Sequence, residues 1–138
     1  MFTGLRPDVT KAYNNKMHFR DTLPNAISLA EHFKNNGYAT YGFGKILHNT
    51  HRDERSWTDP QHYIVEKQYA SPEYKDKTVG IDGIHTTNGL IPLYEGPDVS
   101  DDAYRDGISN QAAISKLKAV AGSSQPFLLF TVSYTHLR

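Results

Sequence analysis

The sequence predicts an α/β fold made of helix–strand units. Two segments with apolar residues at helical spacing each end near a glycine, and each is followed by a short apolar run. The second run, Phe127-Leu128-Leu129-Phe130-Thr131-Val132, is nearly continuous in apolar residues. That is the pattern of a strand buried on both faces of a parallel sheet. Helix, cap and strand in succession, twice over, is the layering of an α/β domain.

Taken in order, residues 1–22 read as loop, with Pro7-Asp8 and Asn14-Asn15 favouring turns. Leu23-Pro24-Asn25 introduces the first helix. Asn25 is its expected N-cap, and Ala26, Leu29, Ala30 and Phe33 form one stripe. Asn35-Asn36-Gly37 closes it, with Gly37 as a left-handed cap. The strand expected next runs from Tyr38 to Phe43. Residues 46–106 carry no sustained period and form a long irregular region, with at most a weak hairpin between Ile81 and Ile91 around Gly83. Order returns at Asp106-Gly107. A helix is expected over Ile108 to Ala121, its face formed by Ala113, Ile114, Leu117, Val120 and Ala121 and its end capped by Gly122. Lys116 and Lys118 suit the negative end of its dipole. Pro126 leads into the second strand. The chain holds no internal repeat.

With 138 residues the chain suffices for one modest domain. Its 15 basic and 15 acidic residues balance, which argues against a nucleic-acid or membrane-surface role driven by bulk charge. No apolar run approaches the ~20 residues a membrane span needs, and no charged-then-apolar leader opens the sequence. Without cysteine there is no disulfide framework, no thiolate metal site and no cysteine nucleophile.

The segment that points to chemistry is Gly44-Lys45-Ile46-Leu47-His48. In a continuing strand Lys45 and His48 would face opposite sides of the sheet. If the strand ends near Gly44, as glycines at 42 and 44 permit, the two can share one side. A lysine at a strand's C-terminal edge can contact an oxyanion, and a histidine beside it can move a proton near neutral pH. Sulfate or phosphate ester chemistry fits that pair. The plainer reading of the motif alone is an exposed lysine and a surface histidine.

Context adds weight. Thr3-Gly4-Leu5-Arg6-Pro7-Asp8 resembles the tail of the sulfatase signature, Cys-x-Pro-Ser-Arg followed a few residues later by Thr-Gly-x-x-Pro. The likeness continues through Leu23-Pro24, His32 to Thr40 and Gly42 to His48. It resumes at Ser56-Trp57, at Asp101 to Gly107 and at Pro126-Phe127-Leu128-Leu129. The Gly-Lys-x-x-His spacing resembles the iduronate-2-sulfatase-like branch more than the Gly-Lys-Trp-His of many other sulfatases. The resemblance implies a partial alkaline-phosphatase-like (sulfatase) fold, with these helix–strand units belonging to a larger, mostly parallel sheet. It implies a sulfuric ester hydrolase acting on a sulfated sugar, located outside the cell, in the periplasm or in the lysosome. It also implies a formylglycine nucleophile and a divalent cation, usually Ca2+, both held by residues outside this chain. By position, Lys45 would contact the formylglycine and the sulfate, binding substrate as well as serving catalysis. His48 would hydrogen-bond the geminal diol and act as base when the sulfo-enzyme breaks down. The same superfamily includes phosphodiesterases and phosphonate hydrolases, and an inactive sugar-binding homologue would keep the same pocket.

The Cys-x-Pro-Ser-Arg stretch and the metal-binding aspartates of the family do not occur here. The expectation is therefore a partial catalytic domain over residues 1–131, truncated at both ends and inactive alone. Residues 132–138, Val132-Ser133-Tyr134-Thr135-His136-Leu137-Arg138, can be encoded by a string resembling transposon-adapter sequence used in DNA-sequencing libraries. They are expected to be read-through, not native, and His136 is assigned no role.

Other groups have plain explanations. His48 and His51 have metal-ligand spacing without a third ligand. Asp101-Asp102 reads as a solvated acidic pair at a helix start. His18, His32, His62 and His85 read as surface or packing residues. Arg6 could reach an anion, and Trp57 could stack on a sugar, but a surface arginine and a core tryptophan are the simpler expectations.

Overall fold

The computed structural model describes residues 2–48, 51–64, 69–74 and 95–133. Residues 1–22, expected as loop, contain two single-turn helices, α1 (Pro7–Thr10) and α2 (Phe19–Thr22). Local chemistry explains both. Pro7 supplies a preset φ at the first position of α1. His18 caps α2, accepting from the Arg20 amide through Nδ1, while its own amide donates to Asp21 at 3.0 Å.

Helix α3 spans Leu29–Asn35. Its N-cap is Ser28, not Asn25. Ser28 accepts from the Glu31 amide and Glu31 reaches back to the Ser28 amide, the reciprocal cap that Ser-x-x-Glu encodes. Pro24 and Asn25 instead form a turn ahead of it. The expected stripe is also narrower, because Ala30 is fully buried while Leu29 is 47% exposed. Gly37 takes the left-handed conformation expected after the helix, with φ +87°.

Strand β1 covers Ala39–Gly44 and pairs in parallel with β2, Phe127–Val132, over six residues from Ala39↔Phe127 to Gly44↔Val132. The α/β, parallel expectation is met in these two strands. Burial on both faces is not, since β2 is half-buried except at Thr131, which is exposed. A parallel bridge from Phe43 to His62 extends the β1 side.

Between the strands, the described part of the irregular region holds 3-10 turns at Glu54–Ser56 and Asp101–Ala103. The hairpin expected over 81–91 lies outside the described residues. Helix α4 runs Arg105–Val120, starting three residues earlier than expected, and packs across β1 and β2. It buries Ser109 and Ala113, while Ile114 and Leu117 are 44% and 45% exposed. The buried face is thus the small-residue side, which lets the helix lie close to the sheet. Gly122 does not take the left-handed conformation of a cap, and Ala121 closes the helix in the right-handed region. Lys118 lies in the last turn as expected. Lys116 is instead drawn to Asp59 at 2.7 Å and sits 4.8 Å from the Tyr41 ring centre. The core joins Phe19, Ala30, Ala39, Phe43, Trp57 and Ala113. Trp57 meets Phe2 and Phe130 edge-on, as a core tryptophan and not an exposed stacking platform.

Candidate active site

The site stands where β1 ends. Gly44 has φ +74°, and a Cβ there would lie 2.0 Å from the Val132 carbonyl oxygen, so only glycine fits. Gly42 has a different task. A Cβ at 42 would press on Ile46 at 2.7 Å and on Trp57 at 3.0 Å, so it admits the tryptophan.

The backbone at Gly44 and Lys45 is held at three points. The Gly44 amide donates to the His62 carbonyl at 2.8 Å, and the Gln61 side-chain amide donates to the Gly44 carbonyl at 2.8 Å. The Lys45 amide donates to the Val132 carbonyl at 3.3 Å. Beyond it the chain bends through Ile46, Leu47 and His48, all half-buried. The strand therefore ends at Gly44, as sharing between Lys45 and His48 requires. The two are near enough to interact electrostatically. Burial first, then the Lys45 charge and then His51, hold the His48 imidazole below its ordinary value of 6.5. His48 is thus neutral and able to accept a proton at neutral pH.

A second turn follows. The His51 amide donates to the His48 carbonyl at 3.2 Å. The His51 ring lies 5.4 Å from that of His18, which in turn stacks on Phe19 at 4.6 Å. Burial, set against the charges of Asp53 and Asp21, leaves His18 below its ordinary value too. Among the described residues no three His, Asp or Glu side chains gather to hold a metal ion.

Behind this loop is a buried ionic network that sequence reasoning missed. Arg20 reaches Asp53 with Nε at 2.6 Å and Nη2 at 2.8 Å, Glu31 with Nη2 at 2.7 Å, and the Ala26 carbonyl with Nη1 at 2.7 Å. Arg55 meets the other Glu31 oxygen through Nη2 at 2.6 Å. Asp53 and Glu31 are 4% and 5% exposed. Burial alone would raise both carboxyls, but hydrogen bonds from Arg20, joined by Ser56 at Asp53 and Arg55 at Glu31, bring them below their ordinary values. Ser56 Oγ gives its proton to Asp53 at 2.5 Å, so Ser28 must be the donor in the Ser28–Ser56 contact. Thr40 Oγ1 donates to the Ser56 carbonyl at 2.8 Å, tying the network to β1. The only local trace of this in the sequence was Ser28-x-x-Glu31. The arginine–carboxylate pairs join residues 11 to 33 positions apart and follow no short motif.

The other candidates lie apart. Arg6 is exposed and pairs with its neighbour Asp8 at 3.2 Å. Asp101 and Asp102 are exposed, with Asp102 accepting from Ser100. His32 is exposed on α3, and His62 is half-buried beside Phe43. His85 and His136 lie outside the described residues.

No family model matches the chain. Two curated proteins do: iduronate 2-sulfatase of Homo sapiens and of Mus musculus, each 32% identical over 133 residues, which is 92% of this chain. The matched stretch is 24% of the human protein and 23% of the mouse protein, so the chain spans about a quarter of the length of these relatives. By the extent of this match the chain is a distant homologue of iduronate 2-sulfatase over 92% of its length.

Proposed function

We propose that this chain is part of a sulfuric ester hydrolase acting on a sulfated sugar, and that Lys45 and His48 are its contribution to the active site. The observation that carries this reading is the turn after β1, which brings a lysine and a neutral histidine to one strand end within a region homologous to iduronate 2-sulfatase. Lys45 holds its ammonium where an anionic sulfate oxygen would lie and stabilises charge as the ester bond breaks. His48, neutral, accepts a proton at its imidazole as the sulfate ester is hydrolysed. A formylglycine hydrate would supply the nucleophile and a divalent cation the Lewis acidity. Among the described residues no three His, Asp or Glu side chains gather to hold that cation, so on this reading its ligands lie outside this chain. On this reading residues 1–131 contribute two strands to a larger parallel sheet, and residues 132–138 are foreign. Val132 meets Gly44 and Lys45 through its backbone, so the native residue after Thr131 would accept the same bond from the Lys45 amide. A genomic locus continuing in frame through those seven residues would show them to be native.

The test is kinetic and uses a full-length protein that carries this chain. Lys45→Ala should slow hydrolysis of a sulfate ester by ~10²–10³ with no change in melting temperature. His48→Ala should give a burst of product and then stall. Near-normal turnover by Lys45→Ala would falsify the assignment. The 138-residue chain alone, lacking cysteine and any Ser-x-Pro-Ser-Arg, should match buffer on a chromogenic aryl sulfate.

A further inference from the structure

The loop from Gly44 to Glu54 carries both proposed catalytic residues, yet they are fastened by different parts of the molecule. Lys45 is fixed from the sheet, through Val132, Gln61 and His62. Among the described residues, the His48 carbonyl is held by the His51 amide. The His51 ring is braced on His18, and His18 is seated by the Arg20 amide and the Phe19 ring. Two residues beyond His51, Asp53 is locked by two bonds to the Arg20 guanidinium. Arg20 therefore serves the loop twice, once through its amide under His18 and once through its side chain.

We infer that His51 is a positioning residue for His48, acting through its ring contact with His18 while the Arg20–Asp53 pair anchors the loop's far end. The inference rests on the assignment of His48 as the base. Ring packing does the holding, so an uncharged aromatic ring serves as well as imidazole. The titratable and charged groups around the contact are the Lys45 side chain and the His51 ring near His48, and Arg20, Asp21 and Asp53 near His18.

The first measurement follows amide exchange by NMR in the full chain. His51→Ala should lower protection of the residue-51 amide about tenfold while the Lys45 amide keeps its wild-type rate, because only the local turn opens. His51→Phe should restore protection. Unchanged protection at residue 51, or an equal loss at Lys45, overturns the inference. The second measurement uses the full-length protein. His51→Ala should leave the burst rate intact and lower the steady rate about tenfold, a weaker copy of His48→Ala, with recovery in His51→Phe. If His48→Ala stalls but His51→Ala turns over normally, the inference fails while the proposed function stands. If His48→Ala turns over normally, the proposed function fails and the exchange measurement alone decides whether His51 holds the turn.

Discussion

The two helix–strand units are built differently. The first, α3 with β1, is cemented by polar chemistry. Thr40, Ser28 and Ser56 are fully buried, and Glu31 and Asp53 are nearly so, each paired with arginine. The second, α4 with β2, has almost none of this. Its strand is half-buried, and two of its large apolar residues, Ile114 and Leu117, face outward. The difference teaches where specificity resides. Apolar burial tolerates sliding, whereas a bidentate arginine–carboxylate pair accepts one geometry. The proposed site sits on the unit that has the stricter geometry.

The contrast should break most sharply at Arg20. Arg20→Ala leaves two buried carboxylates short of their partner, and a loss of about 3–5 kcal/mol is expected from denaturant unfolding. Acid titrates the same groups instead of cutting them. Asp53 and Glu31 are held below their ordinary 3.8 and 4.5, so the folded state binds fewer protons than the unfolded one. Their contribution is complete above about pH 5 and drains away as pH falls through the folded values. His18 and His48 are likewise held below 6.5, so their contribution is present above that value and is lost as pH falls below it. Melting temperature should therefore fall in two steps between pH 7 and pH 3. A flat profile would count against the network. Gly44→Ala forces a side chain into the left-handed region and onto the Val132 carbonyl, and it should cost at least about 1–2 kcal/mol. It should also speed exchange of the Lys45 amide. The second unit supplies the smallest effects. Lys116→Ala removes a partly exposed pair with Asp59 and should cost under about 1 kcal/mol, and Ile114→Ser should stay within about 0.5 kcal/mol. A loss at Ile114 as large as that at Arg20 would erase the distinction between the units.

Legibility followed the range of the interactions. The strands and the end of α3 were readable because period and a left-handed glycine act over a few residues. The start of α3 was misplaced at Asn25 although Ser28-x-x-Glu31 was in plain view, since proline and asparagine gave a competing turn signal. For α4, the expected apolar face was right at Ala113 and wrong at Ile114 and Leu117, which are exposed. Ser109 and Ala113 are buried because they are small, which no hydrophobicity pattern ranks above isoleucine. At the site, Lys45 and His48 were visible as a spaced pair. Their supports were not, because Arg20, Asp53, Gln61 and Val132 come from four separate stretches. His18 was expected to be surface or packing, and it packs, but nothing nearby in sequence pointed to His51 as the ring it meets.

The β1–β2 register also has a kinetic meaning. It joins Ala39 to Phe127, so the pairing must close a loop containing most of the chain. Closing so long a loop spends chain entropy before any ladder bond returns it, which delays folding. The Arg20–Asp53 and Arg55–Glu31 contacts close far shorter loops and can form first. The Lys45 amide then waits for the carbonyl at position 132, so the proposed site is completed only when β2 docks. Trp57, the chain's single tryptophan, touches Phe130 on that strand and reports the event. Its fluorescence should mature in the slowest refolding phase, and a signal complete in the fastest phase would reverse this order of assembly.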